Sequence, residues 1–99
     1  MKTFDLPIPK NCSEKQLITQ FEGTVKSCGL TIASRGTLKT IPGSVHWHLK
    51  SGTESGTLEA TLIYKQARGF LVYHDNRFAE WIPSAIAAII ANWQKAKCG

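Results

Sequence analysis

Hydrophobic and polar residues alternate without exception along residues 44–50. Successive side chains of a β-strand point to opposite faces, so this alternation predicts a strand that is buried on one face. Its inward face carries Val45, Trp47 and Leu49. Its outward face carries His46, His48 and Lys50. The rest of the chain is interpreted as what covers the first face and what surrounds the second.

Three further segments alternate in the same way, over residues 30–40, 57–64 and 70–75. Together with the first strand they predict a four-stranded antiparallel meander, because turn-forming stretches separate consecutive segments. Residues 2–6 alternate more weakly and predict a short fifth strand. Pro7 and Pro9 follow it, and proline confines such a strand to the edge of a sheet.

Turn chemistry predicts which outward residues face each other across the first two hairpins. The sequence Ile-Pro-Gly-Ser suits a type II turn, and closing this turn places Lys39 opposite His46. A polar, glycine-flanked loop follows the strand. Closing this loop symmetrically places Glu59 opposite His48 and Thr61 opposite His46. We therefore expect a polar cluster in the middle of the outward face.

The last hairpin is predicted to close through residues 65–69. This closure pairs Ala60 with His74 on the core side of the sheet. It leaves Leu71 and Tyr73 on the outward face, beside Ile63. The outward face is therefore expected to be basic along one side and apolar along the other.

Two segments have the period of an amphipathic helix. Residues 14–28 repeat apolar side chains at helical spacing, with Asn11 or Ser13 as the N-cap and Gly29 as the terminating residue. A second helix begins near Pro83 and buries an apolar stripe that ends at Trp93. The opposite side of this second helix carries Ala87, Ala88 and Ala91. These alanines are explained by helix propensity or by a flat surface used in a homodimer.

The elements predict a single α+β domain over residues 1–99 in the order (β)-α-β-β-β-β-α, with both helices on one face of the sheet. A hydrophobic content of 42% and a charged content of 19% are ordinary for a globular domain. The element order resembles that of the TATA-binding-protein-like and helix-grip folds. This resemblance covers no motif and implies no function.

Charge and cysteine usage limit the classes of protein to consider. The net charge is +5, from twelve Lys and Arg against seven Asp and Glu, but the basic residues are scattered and form no nucleic-acid-binding arm. The N-terminus lacks an apolar leader, and the most apolar segment, residues 82–93, is too short to span a bilayer. Cys12, Cys28 and Cys98 are odd in number, which favours reduced thiols and a cytoplasmic protein without membrane contact.

Two histidines on one strand face are the strongest hint of metal chemistry in the sequence. Zinc needs three or four convergent ligands, and the predicted register puts His74 on the core face, away from His46 and His48. Glu59 could complete a two-His-one-carboxylate site, or could simply support His48 across the strands. We expect no metal and no cofactor. No catalytic motif is present, so we also expect no enzymatic activity.

The outward face of the sheet is the candidate binding surface. Its predicted members are Arg35, Lys39, His46, His48, Lys50, Glu59, Thr61, Ile63, Leu71 and Tyr73. We expect this surface to bind a protein partner or a second copy of the chain. Single-stranded nucleic acid is the second expectation, because cations and one aromatic ring share the surface. A small-ligand pocket between the sheet and the last helix is the third, and a purely solvated face is the remaining interpretation.

Overall fold

The computed structural model of the chain describes residues 1–9 and 11–95 and confirms the predicted fold class. The elements are β1 (Lys2–Asp5), α1 (Glu14–Ser27), β2 (Thr31–Gly36), β3 (Val45–Lys50), β4 (Leu58–Ile63), β5 (Arg68–Tyr73) and α2 (Trp81–Trp93). One antiparallel sheet has the order β1-β5-β4-β3-β2, so the short N-terminal strand does join it. Neither α1 nor α2 has the length and apolarity to cross a membrane.

Helix α1 begins at a capping box, one of the two N-caps predicted. The Ser13 hydroxyl oxygen accepts from the Gln16 backbone N–H at 3.1 Å. The Gln16 side-chain oxygen accepts from the Ser13 backbone N–H at 2.8 Å. These two bonds satisfy donors that a helix start leaves unpaired. The helix ends before Gly29, whose φ of 78° allows the chain to leave it toward β2.

The core is built on three aromatic rings from different elements. Phe21 of α1 lies 4.5 Å from the ring of Trp47 and 5.8 Å from that of Trp93, measured between ring centroids. Trp47 and Trp93 are fully buried. The Trp47 indole N–H donates to Glu22 at 2.9 Å, and that of Trp93 donates to the Pro7 carbonyl oxygen. The rings therefore join α1, α2 and β3 without leaving a buried indole N–H unpaired.

The connection before β3 is longer than predicted. The Ile41–Ser44 turn does form, with a backbone bond from the Ser44 N–H to the Ile41 carbonyl at 3.2 Å. A second turn precedes it, because the Ile41 N–H donates to the Leu38 carbonyl at 3.1 Å. The buried Ser44 hydroxyl also accepts from the Leu38 N–H at 3.2 Å. These bonds draw residues 37–40 out of the predicted strand.

Strand β2 therefore pairs with β3 in a different register. Gly36 lies opposite His46, where Lys39 was predicted, and Ser34 lies opposite His48. A β-bulge between residues 32 and 34 shifts the pairing within the strand. Because a bulge changes which side chains share a face, the predicted parity across 30–40 is wrong beyond it.

The register of the last hairpin is also wrong. A single 3-10 turn and Ala67, at a φ of 50°, close the hairpin over fewer residues than predicted. Ile63 pairs with Arg68 and Ala60 pairs with Leu71. This shift is by an odd number of residues, and an odd shift exchanges the faces of a strand. His74, predicted on the core side, consequently follows a strand whose even-numbered residues point outward.

Cysteine chemistry differs from the expectation of three reduced thiols. Cys12 is disulfide-bonded. Cys28 has a free thiol, and Cys98 lies outside the described residues. The expectation is therefore wrong at Cys12, and cysteine usage no longer supports a cytoplasmic location.

Gly69, the second residue of β5, lies where there is no room for a side chain. A Cβ atom at Gly69 would lie 2.8 Å from the Leu6 carbonyl oxygen and 2.8 Å from the Leu62 Cδ2 atom. The Leu6 backbone N–H donates to the Gly69 carbonyl at 2.8 Å. Glycine at this position therefore lets the chain after β1 approach the start of β5.

We predict that Gly69→Ala lowers the free energy of unfolding by about 1–3 kcal/mol, because the added methyl group overpacks a contact made partly by backbone. Denaturant unfolding measures this loss. Gly36→Ala is the matched control, since a Cβ there meets no atom within 4 Å. An equal effect of both substitutions would contradict the close-contact explanation.

Candidate functional site

All three histidines of the chain meet at one carboxylate, that of Glu59. The Nε2 atom of His46 lies 3.0 Å from Glu59 Oε1. The Nε2 atom of His48 lies 3.7 Å from the same oxygen. The Nε2 atom of His74 lies 3.2 Å from the other oxygen, Oε2. We call these four residues the Glu59 cluster.

The pairing of β3 with β4 builds the centre of the Glu59 cluster. Thr61 lies opposite His46 and Glu59 lies opposite His48, which confirms both cross-strand predictions. Both strands are central in the sheet, so hydrogen bonds to neighbouring strands hold their backbones on each side. His74 lies just after the end of β5. Val72 of β5 lies opposite Glu59, and His74, two residues later, points to the same face as Val72.

Thr61 fixes the orientation of the most buried histidine. Its Oγ1 atom lies 2.8 Å from His46 Nδ1, and the residue is 1% exposed. A hydroxyl group can donate or accept, so this contact is compatible with either neutral tautomer of the ring. The Glu59 carboxylate can only accept, so the 3.0 Å contact requires the proton on His46 Nε2, and Nδ1 then accepts from the Thr61 hydroxyl.

The cluster has a shielded side and an open side. The side chains of His46 and Glu59 are 15% and 13% exposed, and those of His48 and His74 are 37% and 40% exposed. Burial lowers the pKa of His46, because a charged ring is poorly solvated there. The Glu59 carboxylate opposes this by favouring the charged ring, and His48 adds to the lowering. The net direction favours a neutral His46 ring.

The predicted basic and aromatic flank does not form on the outward face. Arg35 lies opposite Trp47 on the helix side, where its guanidinium donates to Glu22 at 2.9 Å. Leu71 is fully buried in the core, and Tyr73 packs against the same core. Their predicted outward placement is therefore wrong, because of the bulge in β2 and the odd shift of β5.

The remaining predicted members lie outside the Glu59 cluster. Lys39 is exposed in the loop before β3 and has left the sheet. Lys50 is on the outward face of β3, but its ammonium group donates to the Gly56 carbonyl and lies 3.4 Å from Thr57 Oγ1. Ile63 is on the outward face as predicted and is 5% exposed. The structure thus brings together the predicted polar residues His46, His48, Glu59 and Thr61. The predicted lysines and arginine do not join them.

Sequence reasoning missed the contribution of β5 to this face. Phe70 pairs with Thr61, and Val72 pairs with Glu59, so both point outward with His74. The available signal was Gly69. An isolated glycine within an alternating segment indicates close backbone approach inside a strand, and this interpretation would have started β5 earlier.

We predict that acid destabilises the metal-free protein partly through His46. The folded state lowers the pKa of His46, so below about pH 6.5 the unfolded chain binds this proton more readily. The contribution of the neutral His46 ring to the free energy of unfolding is fully present above that pH. It is lost as the pH falls toward the folded-state pKa. Urea unfolding in EDTA between pH 7.5 and 5.5 measures the decline, which His46→Gln should reduce.

His74→Gln is the control for this measurement, because it removes a histidine of the same cluster and leaves His46 in place. It should retain most of the decline seen in the wild-type protein. A decline that is as steep in His46→Gln as in the wild type would contradict the assignment to His46.

The chain has no match among protein-family models, curated proteins or solved structures. No function therefore comes to it by similarity. What the protein does has to be inferred from the Glu59 cluster and from the surfaces around it.

Proposed function

We propose that this protein is a non-enzymatic binding module that holds a protein partner or a second copy of the chain on the outward face of its sheet. The observation that supports this is the one-sided packing. Both helices contribute to one core cluster with the inward residues of β3, β4 and β5. Ile63 and Val72 are buried on the outward face but lie outside that cluster.

The composition of this face suits a protein occupant. Protein interfaces combine an apolar centre with a limited number of placed polar groups. Phe70 is half-buried on this face, which also carries the partly exposed imidazoles of His48 and His74. Phe70 also lies 5.8 Å from the Arg68 guanidinium, measured to the ring centroid. A partner would find an aromatic ring, a cation and two imidazoles on one face of the sheet.

The nucleic-acid alternative has lost the arrangement on which it depended. It required several cations and a stacking ring on one surface, whereas the described outward face keeps Arg68 as the cation beside the Phe70 ring. Arg35 is paired with Glu22 on the helix side, and Tyr73 packs against the core there. Lys50 is occupied by the loop at Gly56. A protein occupant is therefore better supported than single-stranded nucleic acid.

We predict that a photoreactive phenylalanine analogue at position 70 forms covalent adducts in the cell that makes the protein. Phe70 lies on the outward face, and replacing one aromatic ring by another changes the packing little. Adducts are resolved by mass after irradiation. A mass of twice the chain identifies a second copy, and sensitivity to protease or nuclease identifies other occupants.

The same analogue at Ala91 is the matched control, because this residue is exposed on α2, away from the sheet. The proposal expects specific adducts from position 70 and none from position 91. Adducts from position 91 alone would favour the alanine surface of α2. Nuclease-sensitive adducts at position 70 would favour nucleic acid, and an absence of adducts at both positions would contradict a binding module.

A cavity between the sheet edge and α2 supports a second candidate function, the binding of a small apolar ligand. Its volume is about 290 Å³. It is lined by Lys2, Phe4, Tyr73, Pro83, Ile86 and Ala87. Apolar walls with one amine at the border suit a short aliphatic carboxylate, although the volume lies at the low end for ligand pockets, which start near 300 Å³.

We predict that octanoate raises the melting temperature of the wild-type protein and not that of Ala87→Phe, in which the new ring fills the cavity. Binding to the folded state alone stabilises it by mass action. Differential scanning fluorimetry measures the shift. Ala91→Phe, on the same helix but outside the cavity lining, should respond as the wild type does. An equal shift in Ala87→Phe would exclude this cavity as the binding site.

A further inference from the structure

We propose that His46, His48 and Glu59 bind one divalent transition-metal cation, with zinc as the ion that their chemistry fits best. The inference does not depend on the proposed partner binding. It reverses the expectation of no metal, which assumed that His74 was distant from the other two histidines. The donor atoms of the three residues lie within 4.8 Å of one another.

The spacing of the donor atoms suits a small cation. Zinc bonds to imidazole nitrogen and carboxylate oxygen are about 2.0–2.2 Å long, which puts ligand atoms about 3.4 Å apart in a tetrahedron. Glu59 Oε1 is 3.0 Å from His46 Nε2 and 3.7 Å from His48 Nε2, on either side of that value. One cation could therefore be reached by all three atoms with side-chain adjustments of a few tenths of an ångström.

The surrounding residues hold two of these ligands as a metal site requires. Metal-bound histidines usually donate their second N–H to an oxygen, which fixes the tautomer that presents the other nitrogen. Thr61 Oγ1 lies 2.8 Å from His46 Nδ1 and can accept that proton. His74 contacts Glu59 Oε2 at 3.2 Å, which leaves Oε1 turned toward the two other imidazoles. Thr61 and His74 are thus positioning residues.

Charge and donor type select the class of metal. Two neutral imidazoles and one carboxylate give a site with net negative charge and mixed nitrogen and oxygen donors. Calcium and magnesium prefer oxygen ligands alone, whereas zinc accepts this donor set. Three protein ligands also leave a coordination position for water or for a group from another molecule. The partly exposed His48 lies on the open side of the cluster.

Isothermal titration calorimetry of the chelator-treated protein with zinc chloride tests the proposal. We expect one zinc ion per chain, no heat from magnesium chloride, and a visible absorption band from cobalt chloride in place of zinc. His48→Gln and Glu59→Gln should each weaken zinc binding by at least about 100-fold. Thr61→Val, which keeps the shape and removes the hydroxyl, should weaken it by about 10–100-fold.

Cys28→Ser is the matched control, because it removes a free thiol, which is also a zinc ligand type, from a place outside the Glu59 cluster. The Cys28 sulfur contacts the side chain of Asn92 on α2. It should bind zinc as the wild type does. Thr61→Ser restores the hydroxyl and should restore affinity. His48 is more than a third exposed, so His48→Gln tests the site even if Glu59→Gln does not fold. Absence of zinc binding, or wild-type affinity in His48→Gln, would overturn the proposal.

Discussion

The pleat of β3 is the constraint on which both the core and the Glu59 cluster depend. Trp47 lies between two histidines in sequence and points to the opposite face. A shift of the strand register by one residue would therefore put the histidines in the core and Trp47 on the outward face. Trp47 is 0% exposed and packs against Phe21 at 4.5 Å. Removing a buried aromatic side chain costs about 3–5 kcal/mol, which is more than an imidazole contact contributes. Core packing therefore determines that His46 and His48 face outward.

Glu59 gives this outward face its second constraint. A shielded carboxylate loses solvation unless polar groups replace the water. The replacement comes from both neighbours of β4, because His46 and His48 are on β3 and His74 follows β5, while Glu59 itself is on β4. The contacts that solvate the carboxylate therefore also bring the three imidazoles close together. A cluster with this geometry can hold a cation or remain a hydrogen-bonded group, and both states use the same backbone.

The sequence predicted the centre of the cluster and missed its borders for identifiable reasons. The β3–β4 pairing was correct because a polar loop closes symmetrically between two regular strands. The other two hairpins depend on interactions that alternation does not encode. One is the bond from the Leu38 N–H to the Ser44 hydroxyl, and the other is the left-handed conformation of Ala67. Alanine has no preference for that conformation, so tertiary packing must hold it there.

Thr61 connects the two states of the Glu59 cluster. Without a cation, the Nε2 of His46 can donate to Glu59 while Nδ1 accepts from the Thr61 hydroxyl, which lies 2.8 Å away. With a cation on Nε2, the proton belongs on Nδ1 and the hydroxyl must accept. A hydroxyl group serves in both roles by rotation, whereas an amide or a carbonyl serves in one at a given atom. A buried threonine opposite His46 therefore lets one rigid sheet support either state.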